Sequence, residues 1–315
     1  MLAAGGRLTI LACFAVCRPA RRALVTRRAL SSSDSAPLEP RDAAAPAPKK
    51  RRRRKAPLEL APPDGWRSTW DLIEELRADR SAVVDRMGSE AIAAASAPGA
   101  DRAYETLISL MLSSQTKDTV NIETMRRLRA HGCTVPNVLA TPEAELGALI
   151  KGVSFHNTKA AHILRSTRLI ADEHGGAVPD TLDGLLALPG VGPKMALLVL
   201  QVAFGRVEGI SVDTHVHRIA NQLAWTGETS TKTPEHTRAA LEAWMPREVW
   251  ADVNLVLVGL GQEVQTERHK LLSKCCGCSR PEDALRLAAV LGLDVRKELE
   301  KAGLGVPAFV VDESL

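Results

Sequence analysis

The nine residues Leu188-Pro-Gly-Val-Gly-Pro-Lys-Met-Ala196 constrain this chain more than any other stretch. Two glycines and two prolines force a tight turn between two helical patterns. Before the turn, Leu182, Leu185, Leu186 and Leu188 recur at helical spacing. After it, Met195 to Phe204 is apolar except for Gln201, the pattern of a buried helix. Pro193 suits the first helical position, where a missing N–H costs nothing. Gly190 and Gly192 permit positive φ and close approach of a ligand to the backbone. The unpaired N–H groups at the start of the second helix can hold an anion such as a phosphate. Gly190, Val191 and Gly192 are therefore the candidate anion-holding residues. A bare helix-to-helix turn is the alternative, because short glycine motifs recur without ligands.

Lys194 opens the second helix, and Asp213 follows nineteen residues later within Val212-Asp-Thr-His-Val-His-Arg218. A positive helix end and an apolar surround both disfavour the ammonium form. An amine must lose its proton to act as a nucleophile. The alternative is a solvated lysine acting as a point charge beside phosphates. Val216, Ile219, Ala220 and Leu223 repeat at helical spacing, so Asp213 or Thr214 also reads as a helix cap. His215 and His217 taken alone read as structural. The joint occurrence of phosphate clamp, lysine and carboxylate points to an enzyme acting on DNA.

The stretch from Leu188 to Trp225 resembles the helix-hairpin-helix DNA glycosylases, and within them the eukaryotic endonuclease III homologues. Val212-Asp-Thr-His-Val-His-Arg-Ile-Ala-Asn221 is close to a signature of that group. Leu112-Ser-Ser-Gln-Thr-Lys-Asp118, Phe155-His-Asn-Thr-Lys-Ala160 and Gly259-Leu-Gly-Gln262 extend the likeness across roughly residues 65 to 285. The resemblance implies a bifunctional DNA N-glycosylase with AP lyase activity, removing oxidised pyrimidines in base excision repair. Lys194 would attack C1′ and displace the base, and β-elimination through a Schiff base would cut the strand. Asp213 would activate the amine or stabilise charge on the sugar. Gln115 and Phe155 would fill the space that an extruded nucleotide leaves. Read without the resemblance, Gln115 ends a helix and Phe155 is a core aromatic. His215 joins the DNA-binding set. The expected partner is double-stranded DNA carrying damaged bases or AP sites, bound by a monomer, with no membrane. Two other readings stay open: a silent DNA-binding module that keeps the hairpin, and an adenine-specific glycosylase of the same fold. The second is disfavoured because Lys194 is present.

The same resemblance implies a [4Fe-4S] cluster on cysteines spaced C-x6-C-x2-C-x5-C. Here Cys275, Cys276 and Cys278 crowd into Lys274-Cys-Cys-Gly-Cys-Ser279. Cys275 and Cys278 are remnants of the central pair. The first ligand position after Gly261-Gln262 falls on Gln265, and the fourth falls on Ala284. Cubane clusters need four ligands, normally thiolates. His269 with the cysteines makes a poor tetrahedral zinc site, because two of the cysteines are adjacent. The reading favours a C-terminal segment without a cofactor. Cys13, Cys17 and Cys133 make no disulfide framework.

The chain divides by composition. The first 57 residues carry 14 Lys/Arg and 3 Asp/Glu, leaving 27 basic and 34 acidic residues, a net charge of −7, for residues 58–315. DNA binding by such a body requires basic groups gathered on one face, and Lys194, Lys159 and neighbouring amides are expected there. Residues 1–33 contain six arginines and no acid, the composition of an organelle transit peptide. Residues 34–62 read as a linker, with Lys49-Lys-Arg-Arg-Arg-Arg-Lys55 as a nuclear-localisation-type block. Nucleus and mitochondrion are both expected destinations. From Trp66 onward apolar residues keep a helical period, and no run alternates as a strand. The expected fold is all-α with two helical lobes around a DNA-binding cleft. One lobe is residues 97–205, a bundle ending in the hairpin. The other combines residues 63–96 with 206–305.

Overall fold

The apolar periods set the helices, capping threonines and first-turn prolines begin several of them, and glycines end others. The structure is a computed structural model that describes residues 60–95 and 100–312. The transit-peptide and basic-block expectations, with Cys13 and Cys17, lie outside the described residues. So does residues 34–59 of the linker. In chain order the helices are α1 (Trp66–Leu76), α2 (Val83–Met87), α3 (Ser89–Ala94), α4 (Ala100–Ser113), α5 (Asp118–His131), α6 (Val135–Ala140), α7 (Glu143–Leu149) and α8 (His156–His174). They continue as α9 (Leu182–Ala187), α10 (Pro193–Phe204), α11 (Thr214–Gln222), α12 (Pro234–Trp244), α13 (Trp250–Thr266), α14 (Arg268–Gly277), α15 (Pro281–Val290), α16 (Val295–Ala302) and α17 (Ala308–Asp312). Among the described residues there is no strand, and the fold is all-α. No described helix is long and apolar enough to cross a membrane.

Two separate apolar cores form. The first gathers Trp70, Ile73 and Leu76 of α1 with Val216 and Ile219 of α11, Leu241 and Trp244 of α12, and the Val253–Leu260 face of α13. Helices α14 to α16 close it through Leu271, Leu272, Leu285 and Leu299. Trp225 stacks edge-on against Trp244 with centroids 6.0 Å apart. The second core gathers Tyr104, Leu107, Ile108 and Met111 of α4, Met125 and Leu128 of α5, Ile163 and Ile170 of α8, and Leu198 to Leu200 of α10. Ile92 of α3 also packs there. The Tyr104 hydroxyl meets Thr167 Oγ1 at 2.6 Å, so this buried phenol keeps a partner. Each fully buried leucine or isoleucine contributes roughly 1.5–3 kcal/mol.

A buried charge network ties α1, α2, α13 and α14 together. Arg77, fully buried at the end of α1, donates to Glu263 Oε1 at 2.9 Å and to Asp85 Oδ2 at 2.5 Å. Lys274 of α14 donates to the same Glu263 oxygen at 2.7 Å. The guanidinium lies against Gly259 of α13, where any side chain would collide with it. Arg77 Nε, Asp85 Oδ1 and Glu263 Oε2 have no partner among the described residues, so the cluster carries uncompensated desolvation. Removing one member strands a buried charge. Glu263→Gln is therefore expected to lower unfolding free energy by about 3–5 kcal/mol in denaturant titration. A loss below about 1 kcal/mol, the value of an exposed pair, would contradict the network's burial.

Candidate active site

The hairpin is built as helix, turn, helix. Thr181 caps α9 by accepting from the Gly184 N–H, and the chain then turns over Leu188 to Gly192. Gly190 has φ +83, and a Cβ there would lie 2.6 Å from His162 Nδ1 and 3.0 Å from His162 Cβ. Only glycine fits. Ser166 Oγ donates to the Pro189 carbonyl at 2.8 Å, and Val191 anchors in the second core. Gly192, the residue before α10, is extended and has nothing near its missing Cβ. Pro193 takes the first helical position. The Ala196 N–H makes the bond to Gly192 O, so the N–H groups of Lys194 and Met195 precede it. The turn thus offers open backbone donors to an anion.

Lys194 Nζ stands 3.8 Å from Asp213 Oδ2, with 36% of the lysine side chain and 16% of the aspartate side chain exposed. Asp213 is also the cap of α11: its Oδ1 accepts from the His215 and Val216 N–H groups, both at 2.9 Å. Capping and pairing with the lysine are two uses of one carboxylate. Ser211 Oγ donates to the Lys194 carbonyl at 3.3 Å, and Asn254 of α13 donates to the Ser211 carbonyl at 2.9 Å. These bonds fix the start of α10 against the segment before α11. A cavity of about 330 Å³ opens beside the lysine, lined by Pro193, Ile210, Val212, Thr233, Pro234 and Arg238 among others. The apolar surround expected around the amine is only partial. A third of the lysine side chain meets solvent, and a carboxylate is its near neighbour.

His215 follows Asp213 and is half-buried. Its ring packs on Gly261 of α13, where a Cβ would lie 2.5 Å from Nδ1, and that nitrogen has no partner. Burial pushes the imidazole pKa down, with Asp213 opposing, so the ring is neutral at physiological pH. Gly261 is followed by Gln262, which bridges three elements. Its Oε1 accepts from the Val84 N–H at 2.8 Å, and its Nε2 donates to Asp118 Oδ2 at 3.1 Å. Asp118 and Gln262 lie within stretches that carry the family likeness, yet nothing in the sequence pairs them.

Gln115 and Phe155 occupy two neighbouring loops, both in the left-handed region with φ 53 and 56. Both are exposed, Phe155 at 66%. The core-aromatic reading of Phe155 therefore fails, because its side chain is exposed, while Gln115, left-handed just past the end of α4, does close that helix as well as standing free. Ser154 Oγ donates to the Gln115 carbonyl at 2.6 Å and joins the two loops. Lys159 was expected on the DNA face, and the structure corrects this. It is buried, and its Nζ donates to the Leu112 and Ser114 carbonyls at 2.7 and 2.6 Å. Burial lowers its pKa to about 8, while the carbonyl acceptors favour the ammonium. Its charge satisfies the end of α4 rather than reaching DNA.

Residues 108–247 match the model of the HhH-GPD superfamily of base excision DNA repair proteins. The chain is 46% identical over 213 residues to the mouse endonuclease III-like protein 1, a match spanning 68% of this chain and 71% of that protein. It is 49% identical over 201 residues to the bovine protein of the same name, spanning 64% and 66%. The chain belongs to this family. It is a base excision repair DNA glycosylase of the endonuclease III group, with the helix-hairpin-helix glycosylase fold. A solved non-covalent endonuclease III–DNA complex aligns with a TM-score of 0.55 at 23% identity, covering 76% of this chain and 99% of that one. A trapped endonuclease III–DNA covalent intermediate aligns at 0.51 with 26% identity, covering 61% and 84%.

The cluster expected of an endonuclease III homologue does not fit these residues. Cys275 is fully buried in the first apolar core, and burial pushes its thiol up to about 12. Cys278 Sγ donates to the Cys275 carbonyl at 3.2 Å. Ala284 is fully buried in α15, and Gln265 is exposed near the end of α13. No group of three or more His, Cys, Asp or Glu among the described residues is placed to hold a metal.

Two predictions follow from this geometry. Gly190→Ala is expected to lose about 1–3 kcal/mol of stability in thermal unfolding, because of its positive φ and the His162 contact. Gly192→Ala is expected to leave stability within about 0.5 kcal/mol and to weaken DNA binding in a titration. Equal stability loss at both positions would refute this division. Separately, Cys276→Ser and Cys278→Ser, both at the edge of the core, should cost under about 1 kcal/mol each. Unfolding of the C-terminal helices in either variant would show the thiols to be essential ligands.

Proposed function

We propose that this chain is a bifunctional N-glycosylase and AP lyase that removes oxidised pyrimidines from duplex DNA. The observation that carries the reading is the amine of Lys194, partly exposed at the hairpin and 3.8 Å from Asp213. The amine attacks C1′, the C1′–base bond breaks, and the base departs with the displaced electron pair. The sugar then opens to an iminium on Lys194. β-Elimination breaks the C3′–O bond and cuts the strand. Asp213 faces the positive charge that develops on the sugar and favours it electrostatically. Gly190, Val191 and Gly192 hold a backbone phosphate, which registers the lysine on its nucleotide. Gln115 and Phe155 enter the stack where the nucleotide leaves it. His215 holds Asp213 through its backbone N–H while its ring packs on Gly261, and it joins the DNA-binding set.

The expected substrate is damaged duplex DNA bound by one copy of the chain. The arginine-rich leader and the basic block support delivery to mitochondrion and nucleus. Incubation with a thymine-glycol duplex and borohydride tests the chemistry. A covalent protein–DNA adduct is expected, and Lys194→Ala should abolish it. Phe155→Ala should lower kcat/KM by about tenfold or more, the worth of one base–aromatic stack. Base release without an adduct would make the enzyme monofunctional. Strand cleavage surviving Lys194→Ala would displace the lysine as nucleophile.

A further inference from the structure

Three groups besides Lys194 crowd the site, and only one carries an oxygen with no assigned task. Asp213 is committed on both sides, capping α11 through Oδ1 and facing the lysine through Oδ2. His215 is pressed on Gly261 with a partnerless Nδ1. Asp118, at the first position of α5, is tethered by one oxygen alone: Oδ2 accepts from Gln262 Nε2 at 3.1 Å. Its Oδ1 makes no hydrogen bond among the described residues.

The placement of Asp118 is set from several sides. Gln262 reaches it from α13 while accepting from Val84 of α2, so the amide cannot swing freely. The residue before Gln262, Gly261, carries His215, which in turn bonds Asp213 through its N–H. The charged and titratable groups facing Asp118 are Lys194 from α10 with Asp213 and His215 at the start of α11. Lys194 thus has one carboxylate within 4 Å, locked in a helix cap, while a second with a free oxygen, Asp118, is joined to the same cluster through Gln262, Gly261 and His215.

Strand cleavage by the proposed route needs a base. Once the sugar is an iminium on Lys194, a proton must leave C2′ before the C3′–O bond can break. We propose that Asp118 is a further catalytic residue, the general base of this elimination step. Its carboxylate takes one proton from C2′ and becomes a carboxylic acid. The C2′–H electron pair forms the C2′=C3′ double bond. The C3′–O pair leaves with the oxygen, so the downstream strand departs with a 5′-phosphate. No oxidant, reductant or metal enters the balance.

The electrostatics support this assignment. Burial raises the Asp118 pKa from its ordinary value. The Gln262 bond and the Lys194 charge oppose that shift, and Asp213 adds to it. A stronger proton acceptor lies closer to the operating pH and is the better general base. The carboxylate is the active form, so elimination should rise as pH rises through its pKa.

The inference rests on the lyase reading above, and its test keeps the two apart. Asp118→Asn keeps the shape and removes the base. On a duplex with a preformed AP site, two single-turnover rates are read: borohydride trapping of the iminium, and strand cleavage. Cleavage is expected to fall about 100-fold, with trapping within about twofold of the parent and the carboxylate limb of the cleavage pH profile gone. Gln262→Ala keeps the carboxyl without its tether and should slow cleavage less than Asp118→Asn. Cleavage by Asp118→Asn within about twofold of the parent overturns the inference and leaves the lyase reading standing. Trapping that falls in step with cleavage also overturns it, because Asp118 then serves Lys194 or the fold. So does Gln262→Ala if it matches the full loss. A parent protein that forms no adduct overturns the lyase reading, and the inference with it.

Discussion

The buried pair between Arg77 and Glu263 is the constraint that the site's geometry depends on. Two charges without solvent are expensive, and a pair of this kind returns little net stability. What it fixes is position. Glu263 sits on α13 directly after Gly261 and Gln262, and Arg77 lies over Gly259 of the same helix. With the guanidinium also on Asp85, α13 is pinned in rotation and in height against α1 and α2. That pinning aims Gln262 at Asp118 and presents Gly261 to His215. A one-residue slip of α13 would put side chains where glycines now allow contact with Arg77 and His215. The charge network therefore acts on the site through the placement of α13.

Asp213 shows how one carboxylate can cap a helix and still face an amine. A helix cap requires an oxygen held at fixed distance from two N–H groups. That requirement immobilises the carboxylate, and an immobilised carboxylate makes a well-placed counter-charge for Lys194. Only one of its oxygens is spent on the cap. The other is left facing the amine at 3.8 Å. The lysine begins one helix and the aspartate precedes another, so both positions follow from where the helices start. Preorganisation here comes from secondary structure rather than from a dedicated shell.

Much of this was legible in the sequence, for reasons tied to range. The turn at Gly190 to Pro193, the apolar face of α10 and the cap at Asp213 are local, and their spacing dictates them. Asp118 and Gln262 are 144 residues apart, and no local pattern joins them. Lys159 misled because a lysine beside a DNA-facing loop reads as a phosphate contact. Its burial is decided by the carbonyls ending α4, which only the folded chain brings within reach. The cysteines were the reverse case. Spacing alone marks Gln265 and Ala284 as the two ligand positions without a cysteine, whereas the burial of Cys275 in the first apolar core shows only in the fold.

The loops that carry Gln115 and Phe155 are held in place before any ligand arrives. Base extrusion costs a few kcal/mol of stacking, and any ordering of the inserting side chains adds to that. Gln115 and Phe155 each adopt a left-handed backbone, a conformation costing of order 1–3 kcal/mol for a residue with a side chain. The folded chain meets that cost before DNA arrives. Lys159 ties the end of α4, Ser154 ties its own loop to the Gln115 carbonyl, and the Ser154 N–H donates to Thr116 Oγ1 at 3.3 Å. In the proposed reading the exposed side chains enter the opened stack with their backbones already set. Lys159, buried under the end of α4, thereby helps hold still the two exposed side chains above it.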